Sequence, residues 1–508
     1  MLELTAFLGG ALIMVLEMVG ARVLAPHVGT SAIVWTSLIG VVLACLALGA
    51  WAGGRYADKS LSREGLGKIL LGAGLGCALT ACCHGMVSSV AGAIGNIYAA
   101  AVISALLVFT LPALFCGMIS PYVIRLRIAS VDTAGATVGR LYALSTAGSI
   151  LGTFLGGFVL ISFFPSSLIL WGAALSFLLL SLSNDHSRPL LRLLLLAACL
   201  LLAVLGEQRK LWLAENGGTH LIESPYNVMH VYEGVDHDRG GRAVRLMQTD
   251  PGYSQSGMLL DAPDELYFDY TRFYALGPRF VPDAQTVLML GGGGYSVPKW
   301  LLANKSGLPL EKLDITVVEL DPAMTRSARR WFGLKDDRRL HIRHEDARAF
   351  LNTQTRQFVL VFVDVFNSYY SIPFQMGTLE AAKALRRAVA PGGALLMNVI
   401  AAVEGEDGRL FRSIWQALAA HFAEVRVYCV SRPDRPHMVQ NLMLLALPEG
   451  GRPEHPQPVS AHVTADPAPS EVDAMLAARH ILPIVTDIPP LTDDFAPVER
   501  YAMMLLRP

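Results

Sequence analysis

The first 206 residues consist mainly of long apolar runs in which charged positions are rare. Seven of these runs reach the roughly 20 residues that a helix needs to cross the ~30 Å hydrocarbon core of a bilayer. They cover residues 3–25, 32–54, 66–90, 97–122, 138–163, 167–183 and 190–206. The seventh is the weakest, because Arg192 leaves about 14 uninterrupted apolar residues behind it, and an interfacial or re-entrant segment fits it as well. We therefore expect an α-helical transmembrane bundle of about seven spans over residues 1–206.

Beyond residue 206 the apolar runs become short and turn residues become frequent. Residues 228–233 and 242–247 alternate in a way that predicts two paired strands. We assign residues 207–284 to a linker and a small β-domain. From residue 285 onward, runs of strand length alternate with helical patterns, which predicts an α/β domain with a doubly wound parallel sheet over residues 285–508.

The charge distribution supports this division. Residues 1–206 carry 16 charged side chains, whereas the remaining 302 residues carry 67. A purely soluble enzyme and a purely integral membrane protein are therefore both excluded. The two parts have net charges of +4 and −5, so no strongly basic domain suggests nucleic-acid binding. Six of the seven cysteines fall in the apolar part, and their spacing indicates neither a disulfide framework nor a metal site.

Basic residues occur mainly on one side of the predicted bundle. They follow span two, lie between spans four and five, and lie between spans six and seven. These residues are Arg55, Lys59, Arg63, Lys68, Arg125, Arg127, Arg140, Arg188 and Arg192. Because basic loops tend to stay in the cytoplasm, this distribution places the N-terminus and these loops there. With seven spans, the soluble part would then lie on the side of the membrane opposite the cytoplasm.

Two features inside the predicted bundle depart from a uniform apolar pattern. Glu17 lies within the first span, where an ionisable group is costly, and we expect it either to pair with Arg22 or to meet a cationic substrate. Gly148, Gly152 and Gly156 recur at a spacing that lets transmembrane helices approach closely. We favour a tightly packed bundle, with a glycine-lined conduit as the alternative.

Candidate binding residues follow the strands of the α/β domain in a regular order. The apolar run 286–290 ends in four consecutive glycines, Gly291–Gly294, which bring bare backbone close to a ligand. Glu319 follows the second strand, where an acid can accept bonds from both hydroxyls of a ribose. Asp346 and Asp364 follow the third and fourth strands. This order of one glycine turn and three acids predicts a Rossmann-like site of the adenosylmethionine type at one edge of the sheet.

Residues 220–445, which carry these motifs, resemble the polyamine aminopropyltransferase (spermidine synthase) family. The ending 491–499 is similar to that of members fused to a membrane region. The segment 54–59 is similar to a cytoplasmic loop motif of major-facilitator transporters. The whole sequence thus resembles a membrane-fused, spermidine synthase-like protein with a transporter-like N-terminal region.

The resemblance implies roles for individual residues. Glu319 would bind the ribose, Asp346 and Ala347 would bind the adenine end, and Gln255 would contact the aminopropyl or thioether region. Gly291, Gly292 and Gly293 would line the cofactor, and Asp364 would face the reacting groups. The co-substrate would be decarboxylated S-adenosylmethionine or S-adenosylmethionine itself, without a metal. Relatives by fold are commonly dimers, so the resemblance also implies a homodimer.

The sequence departs from the family pattern at two positions where an acidic side chain normally binds a cationic group of a substrate. Gly294 stands where the glycine loop usually carries an acid, and Asn367 stands where the acid that deprotonates the attacking amine usually lies. Either Asp364, Asp269 or Asp250 then acts as base, or the site binds intact S-adenosylmethionine, whose carboxylate suits a pocket with fewer acids. The candidate catalytic positions are Asp364, Asn367 and Tyr369, and the candidate substrate-binding positions are Asp250, Asp269 and Tyr370.

Our first hypothesis is a membrane-anchored enzyme that transfers an aminopropyl group from decarboxylated S-adenosylmethionine to an amine or polyamine and releases methylthioadenosine. The second is methyl or other alkyl transfer from S-adenosylmethionine. The third is a polyamine or sulfonium transporter or sensor with a ligand-binding soluble domain. We expect a multi-pass protein of a bacterial-type inner membrane, in contact with the lipid bilayer. Because the donor is made in the cytosol, we favour a cytoplasmic soluble domain despite the basic-residue distribution.

Overall fold

The computed structural model describes residues 1–28, 31–83, 94, 96–128, 130, 132–250, 253–365, 373–449, 466–498 and 500–501. The chain forms two compact units, Met1–Val228 and Met229–Pro508. The domain boundaries expected at 206 and 284 stay predictions.

The first unit is helical. Within the described residues, seven helices are long and apolar enough to cross a membrane, which is the number predicted. They are α1 (Leu2–Val28), α2 (Ala32–Lys59), α3 (Arg63–Cys83), α4 (Ile97–Arg127), α5 (Ala134–Phe154, continued helically to Phe163), α6 (Ser166–Asn184) and α7 (Pro189–Gly217). Helix α3 ends at Cys83. The last part of the third predicted span, residues 84–90, lies outside the described residues. Helix α7 extends beyond residue 206 into polar sequence and ends at Gly217.

Small residues allow the helices to touch backbone to backbone. A Cβ atom on Gly148 or Gly152 of α5 would collide with the α1 carbonyl groups of Phe7 and Ala11. A Cβ atom on Gly53 of α2 would come within 2.7 Å of the backbone of α4. The close helix contacts expected from the glycine spacing are therefore present.

Two buried or half-buried arginines of this unit form ion pairs. The guanidinium of Arg192 forms a buried ion pair with Asp185 and donates to the hydroxyl of Ser181 at 3.1 Å. Arg192, which interrupts the apolar run in the sequence, is therefore buried with its charge paired. Arg22 forms its ion pair with Glu223 at 3.1 Å, at the end of strand β1 (His220–Glu223), so the expected pairing of Arg22 with Glu17 was wrong.

The second unit begins with an antiparallel meander of β2 (Val228–Asp236), β3 (Arg242–Asp250) and β4 (Tyr253–Leu259). Strands β2 and β3 pair from His230 opposite Gln248 to Asp236 opposite Arg242. This confirms the strand pair predicted from the alternating pattern. Two short helices, α8 (Asp269–Arg272) and α9 (Leu276–Phe280), lead from the meander into the second sheet.

The second sheet has the strand order β12-β10-β11-β9-β8-β5-β6-β7 among the described residues. Its strands are β5 (Thr286–Leu290), β6 (Asp314–Val318), β7 (Leu340–Arg343), β8 (Phe358–Val363), β9 (Val389–Ala401), β10 (Glu424–Cys429), β11 (Gln440–Leu447) and β12 (Arg479–His480). The helices between and after them are α10 (Ser296–Leu302), α11 (Pro322–Trp331), α12 (Ala347–Thr353), α13 (Leu379–Ala388), α14 (Arg409–Ala419) and α15 (Pro469–Ala477). Strands β5 to β9 pair in parallel, whereas β10, β11 and β12 join antiparallel.

Both faces of this sheet are covered. Val287 and Met289 of β5 belong to one apolar core, and Leu288 and Leu290 belong to another. Successive side chains of a strand point to opposite faces, so two cores require two layers of packing. The predicted Rossmann-like, doubly wound fold is confirmed, and its parallel strands bring the candidate residues to one edge.

Candidate functional site

The glycine turn after β5 is held against the end of β8. Gly291 has a φ of +90°, a conformation that favours glycine. A Cβ atom at this position would also collide with the carbonyl oxygen of Asp364. Gly291 is therefore required both for the turn and for the close approach of the two strand ends.

Glu319 follows β6 and ties the glycine turn to its own strand. One carboxylate oxygen accepts hydrogen bonds from the backbone N–H groups of Gly292 at 2.8 Å and Gly293 at 3.3 Å. The other accepts from the N–H of Asp321 at 2.9 Å. Burial raises the pKa of Glu319, and these three donors oppose the shift. The residue predicted to bind ribose thus also organises the loop.

Ser256 of β4 lies where the side chain of an acid at position 294 would begin. Its hydroxyl accepts a hydrogen bond from the Gly294 N–H at 2.8 Å. A Cβ atom on Gly294 would come within 2.9 Å of the Ser256 Cβ. The neighbouring Gln255 has a buried side-chain oxygen without a hydrogen-bond partner in the described part of the chain. Since a buried carbonyl normally has a donor, Gln255 fits the predicted role of contacting a ligand.

Asp364 lies at the carboxyl end of β8, partly buried between two donors. The hydroxyl of Tyr270 donates to one carboxylate oxygen at 3.4 Å, and the side-chain amide of Asn398 donates to the other at 3.2 Å. The side-chain amide of Asn441 in turn donates to the side-chain oxygen of Asn398 at 3.0 Å and fixes the orientation of the Asn398 amide. Burial raises the pKa of Asp364 to about 6, and the two hydrogen bonds limit the rise. Such a carboxyl can take up a proton near neutral pH.

Other predicted site residues have local structural roles. Asp346 caps helix α12, where its carboxylate accepts a hydrogen bond from the N–H of Ala349 at 2.9 Å, and Ala347 is the first residue of that helix. Asp269 is exposed and forms an ion pair with Arg239 at 2.8 Å. None of the described contacts joins either acid to Asp364 or to the glycine turn.

Four candidates cannot be placed in the site. Asn367, Tyr369 and Tyr370 lie outside the described residues, which stop at 365 and resume at 373. Asp250 ends β3, where its backbone lies opposite Tyr253. The roles proposed for these residues stay predictions.

Sequence reasoning missed the residues that position Asp364 and the glycine turn. Asn398 is the one polar residue in the apolar stretch 394–400 of β9, and it is buried. A polar residue inside a buried strand is a signal that could have been used. Ser256 gave no such signal, because its partner Gly294 is 38 residues away in the sequence.

In the part of the chain that the structure describes, no group of three or more His, Cys, Asp or Glu side chains could hold a metal ion. Among the described residues, the candidate site consists of the glycine turn with Glu319, the Gln255 side-chain oxygen and the Asp364 carboxyl.

Comparison with known proteins finds proteins that are similar to part of this chain. No family model matches the chain. A polyamine aminopropyltransferase of Vibrio vulnificus (strain CMCP6) is 26% identical over 155 residues, which are 30% of this chain and 50% of that protein. A probable polyamine aminopropyl transferase of Bifidobacterium longum (strain NCC 2705) is 29% identical over 148 residues, 29% of this chain and 30% of that protein. Over its C-terminal part, the chain is similar to polyamine aminopropyltransferases.

The aminopropyltransferase-like part also matches solved structures. A probable spermidine synthase from Corynebacterium glutamicum ATCC 13032 is 22% identical, with a TM-score of 0.40, and the match covers 53% of this chain and 98% of that one. The chain spans at most half the length of the curated relatives that it matches. The resemblance that the motifs predicted is confirmed for the C-terminal part.

Proposed function

We propose that the protein is an aminopropyltransferase-like enzyme, anchored in a membrane by its helical unit. Its donor is decarboxylated S-adenosylmethionine, its acceptor is an amine or polyamine, and it releases methylthioadenosine. The similarity to polyamine aminopropyltransferases supports this reaction class. We further propose that the protein works as a homodimer.

The observation that carries the proposal is the environment of Asp364. The backbone carbonyl of Asp364 lies against Gly291 of the glycine turn. Its side-chain carboxyl has a pKa of about 6, which leaves it largely ionised at neutral pH but able to accept a proton. Asn367 is an amide and cannot accept the proton of an attacking amine. Asp269 is committed to Arg239, so Asp364 is the best-placed base among the described acids.

The reaction needs little from the protein beyond orientation and this base. The amine nitrogen forms a bond to the aminopropyl carbon next to sulfur, and the carbon–sulfur bond breaks. The sulfur keeps the electron pair and becomes the neutral thioether of methylthioadenosine. The proton lost from the attacking nitrogen passes to Asp364. Glu319 and Gln255 would hold the nucleoside and the sulfonium region so that the carbon faces the amine.

A second candidate is alkyl transfer from intact S-adenosylmethionine. It is favoured by Gly294, because Ser256 occupies the space where an acid would bind the donor's ammonium group. A site without that acid tolerates the carboxylate of the intact donor better than a site with it.

The test is to incubate the purified full chain with each donor, with and without putrescine or spermidine, and to measure methylthioadenosine and adenosylhomocysteine. We expect methylthioadenosine only with the decarboxylated donor and an amine, and a loss of at least about a hundredfold in Asp364→Asn. Asp336→Asn is the matched control, because Asp336 is an exposed acid that pairs with Arg329 at 2.8 Å. Formation of adenosylhomocysteine would replace the first candidate by the second.

A further inference from the structure

Glu17 is partly buried and lies at the wall of a small, partly open cavity where α1, α2 and α4 meet. The other walls are apolar and include Val42, Phe109 and Pro112. Within the described chain, Glu17 has neither a hydrogen-bond partner nor an ion-pair partner. An unpaired carboxylate beside apolar walls is costly, and binding of a neutralising species removes that cost.

Nearby residues do not neutralise it. Among the described residues that line the cavity, Cys116 on α4 is the other titratable side chain, and none is basic. Arg22, one and a half turns further along α1, is engaged by Glu223 and by the carbonyl of Ile161 at 2.6 Å. The neutralising species therefore comes from outside the side chains that face the cavity.

The cavity is too small and too poor in oxygen for a metal cation or a polyamine. It has room for about one water molecule. Pro112 leaves the carbonyl of Val108 without its helical donor, but the hydroxyl of Thr80 binds that oxygen at 2.6 Å. Of the described lining residues, Glu17 alone offers carboxylate oxygens, whereas hard cations take about six or more oxygens.

We propose that Glu17 is a proton-binding site inside the helical unit. A lone pair of the carboxylate accepts a proton, and the resulting neutral acid fits the apolar cavity. Release of the proton leaves a charge at the contact of three tightly packed helices, where a Cβ atom on Gly20 of α1 would already come within 3.0 Å of Leu38 and Phe109. Proton binding and helix packing are therefore coupled at this site.

The test uses the full chain in lipid vesicles and dicyclohexylcarbodiimide, an apolar reagent that adds to protonated carboxylic acids. Mass spectrometry measures the adduct at each acid across a pH series. We expect an adduct at Glu17 whose rate of formation falls by about tenfold per pH unit above a midpoint. Glu3, which is paired with Arg140 at 3.1 Å, is the internal control and should not follow this curve. No adduct at Glu17 at any pH would overturn the proposal.

Two further measurements distinguish proton binding from binding of another cation and from an effect of misfolding. Replacing choline chloride by sodium chloride at constant pH should leave the labelling unchanged, and protection by sodium would overturn the proton assignment. The infrared difference spectrum between low and high pH should contain a protonated-carboxyl band that is lost in Glu17→Gln and retained in Glu3→Gln. An identical spectrum in wild type and Glu17→Gln would also contradict the proposal, and it requires no chemical labelling.

Discussion

The Asp364 carboxyl is held between Tyr270 and Asn398, and each donor stabilises its ionised form. If Asp364 is the base, the rate rises with pH as the carboxyl loses its proton near its pKa of about 6. In Asn398→Leu one donor to the charged form is lost, so the midpoint should move to higher pH. A hydrogen bond to a charged group contributes about 1.5–3 kcal/mol, which corresponds to a shift of about one to two pH units. The measurement is methylthioadenosine formation across pH.

The control for this variant is Asn352→Leu, which removes an exposed amide bound to Arg348. It should leave the midpoint unchanged. If Asn398→Leu lowered the rate equally at all pH values, Asn398 would act on packing alone, and Asp364 would not be the titrating base.

Gly291 permits a second prediction at the scale of single residues, because the chain contains a matched glycine. Gly291 and Gly405 both have positive φ angles, of +90° and +70°. A Cβ atom would collide with the Asp364 carbonyl at position 291 but meets open space at position 405. Gly405→Ala should cost about 1–3 kcal/mol from backbone strain alone. Gly291→Ala should cost clearly more, seen as a larger drop in melting temperature, and equal drops would contradict the geometry.

At the scale of elements, helix α10 is fixed by a buried lysine. The Lys299 ammonium donates to the carbonyls of Pro263 at 2.7 Å and Phe332 at 2.6 Å. Burial lowers its pKa from 10.5 to about 8. Between these two values the unfolded chain binds more protons than the folded chain, so stability should rise with pH. The gain is at most about 3 kcal/mol.

The measurement is the melting temperature from pH 7 to pH 10.5 in wild type and in Lys299→Met. Wild type should gain relative to the variant across this range, because only wild type carries the shifted lysine. Lys312→Met, at an exposed position, is the control and should run parallel to wild type. A constant difference between wild type and Lys299→Met would show that the lysine does not titrate between pH 8 and 10.5.

Elements and their order could be predicted from the sequence, because they depend on local patterns. The strand 286–290 matches β5, and the glycine turn and Glu319 lie at the strand ends where the pattern placed them. Contacts between distant residues could not be predicted in the same way. Ser256 pairs with Gly294 and Arg22 with Glu223 only after the chain has folded. The base environment of Asp364 likewise depends on Asn398, 34 residues away.

At the scale of the whole molecule, the two lines of reasoning about topology conflict. The basic residues place the loop between α4 and α5 in the cytoplasm, and three further crossings by α5, α6 and α7 would put the second unit outside. The proposed donor is cytosolic, which requires that unit inside. Arg192 no longer argues against a crossing by α7, since its charge is paired with Asp185.

Cysteine accessibility resolves this conflict with two positions, Asp132 in the loop before α5 and Asp336 in the second unit, where the acid is 86% exposed. Each is changed to cysteine, and a membrane-impermeant maleimide is applied to intact spheroplasts, with wild type as the background for native cysteines. We expect Asp336→Cys to be protected until the membrane is permeabilised. If Asp132→Cys is labelled, all three helices cross and the N-terminus is external; if it is protected, one of them does not cross. Labelling of Asp336→Cys in intact cells would place the second unit outside and contradict the proposed access to a cytosolic donor.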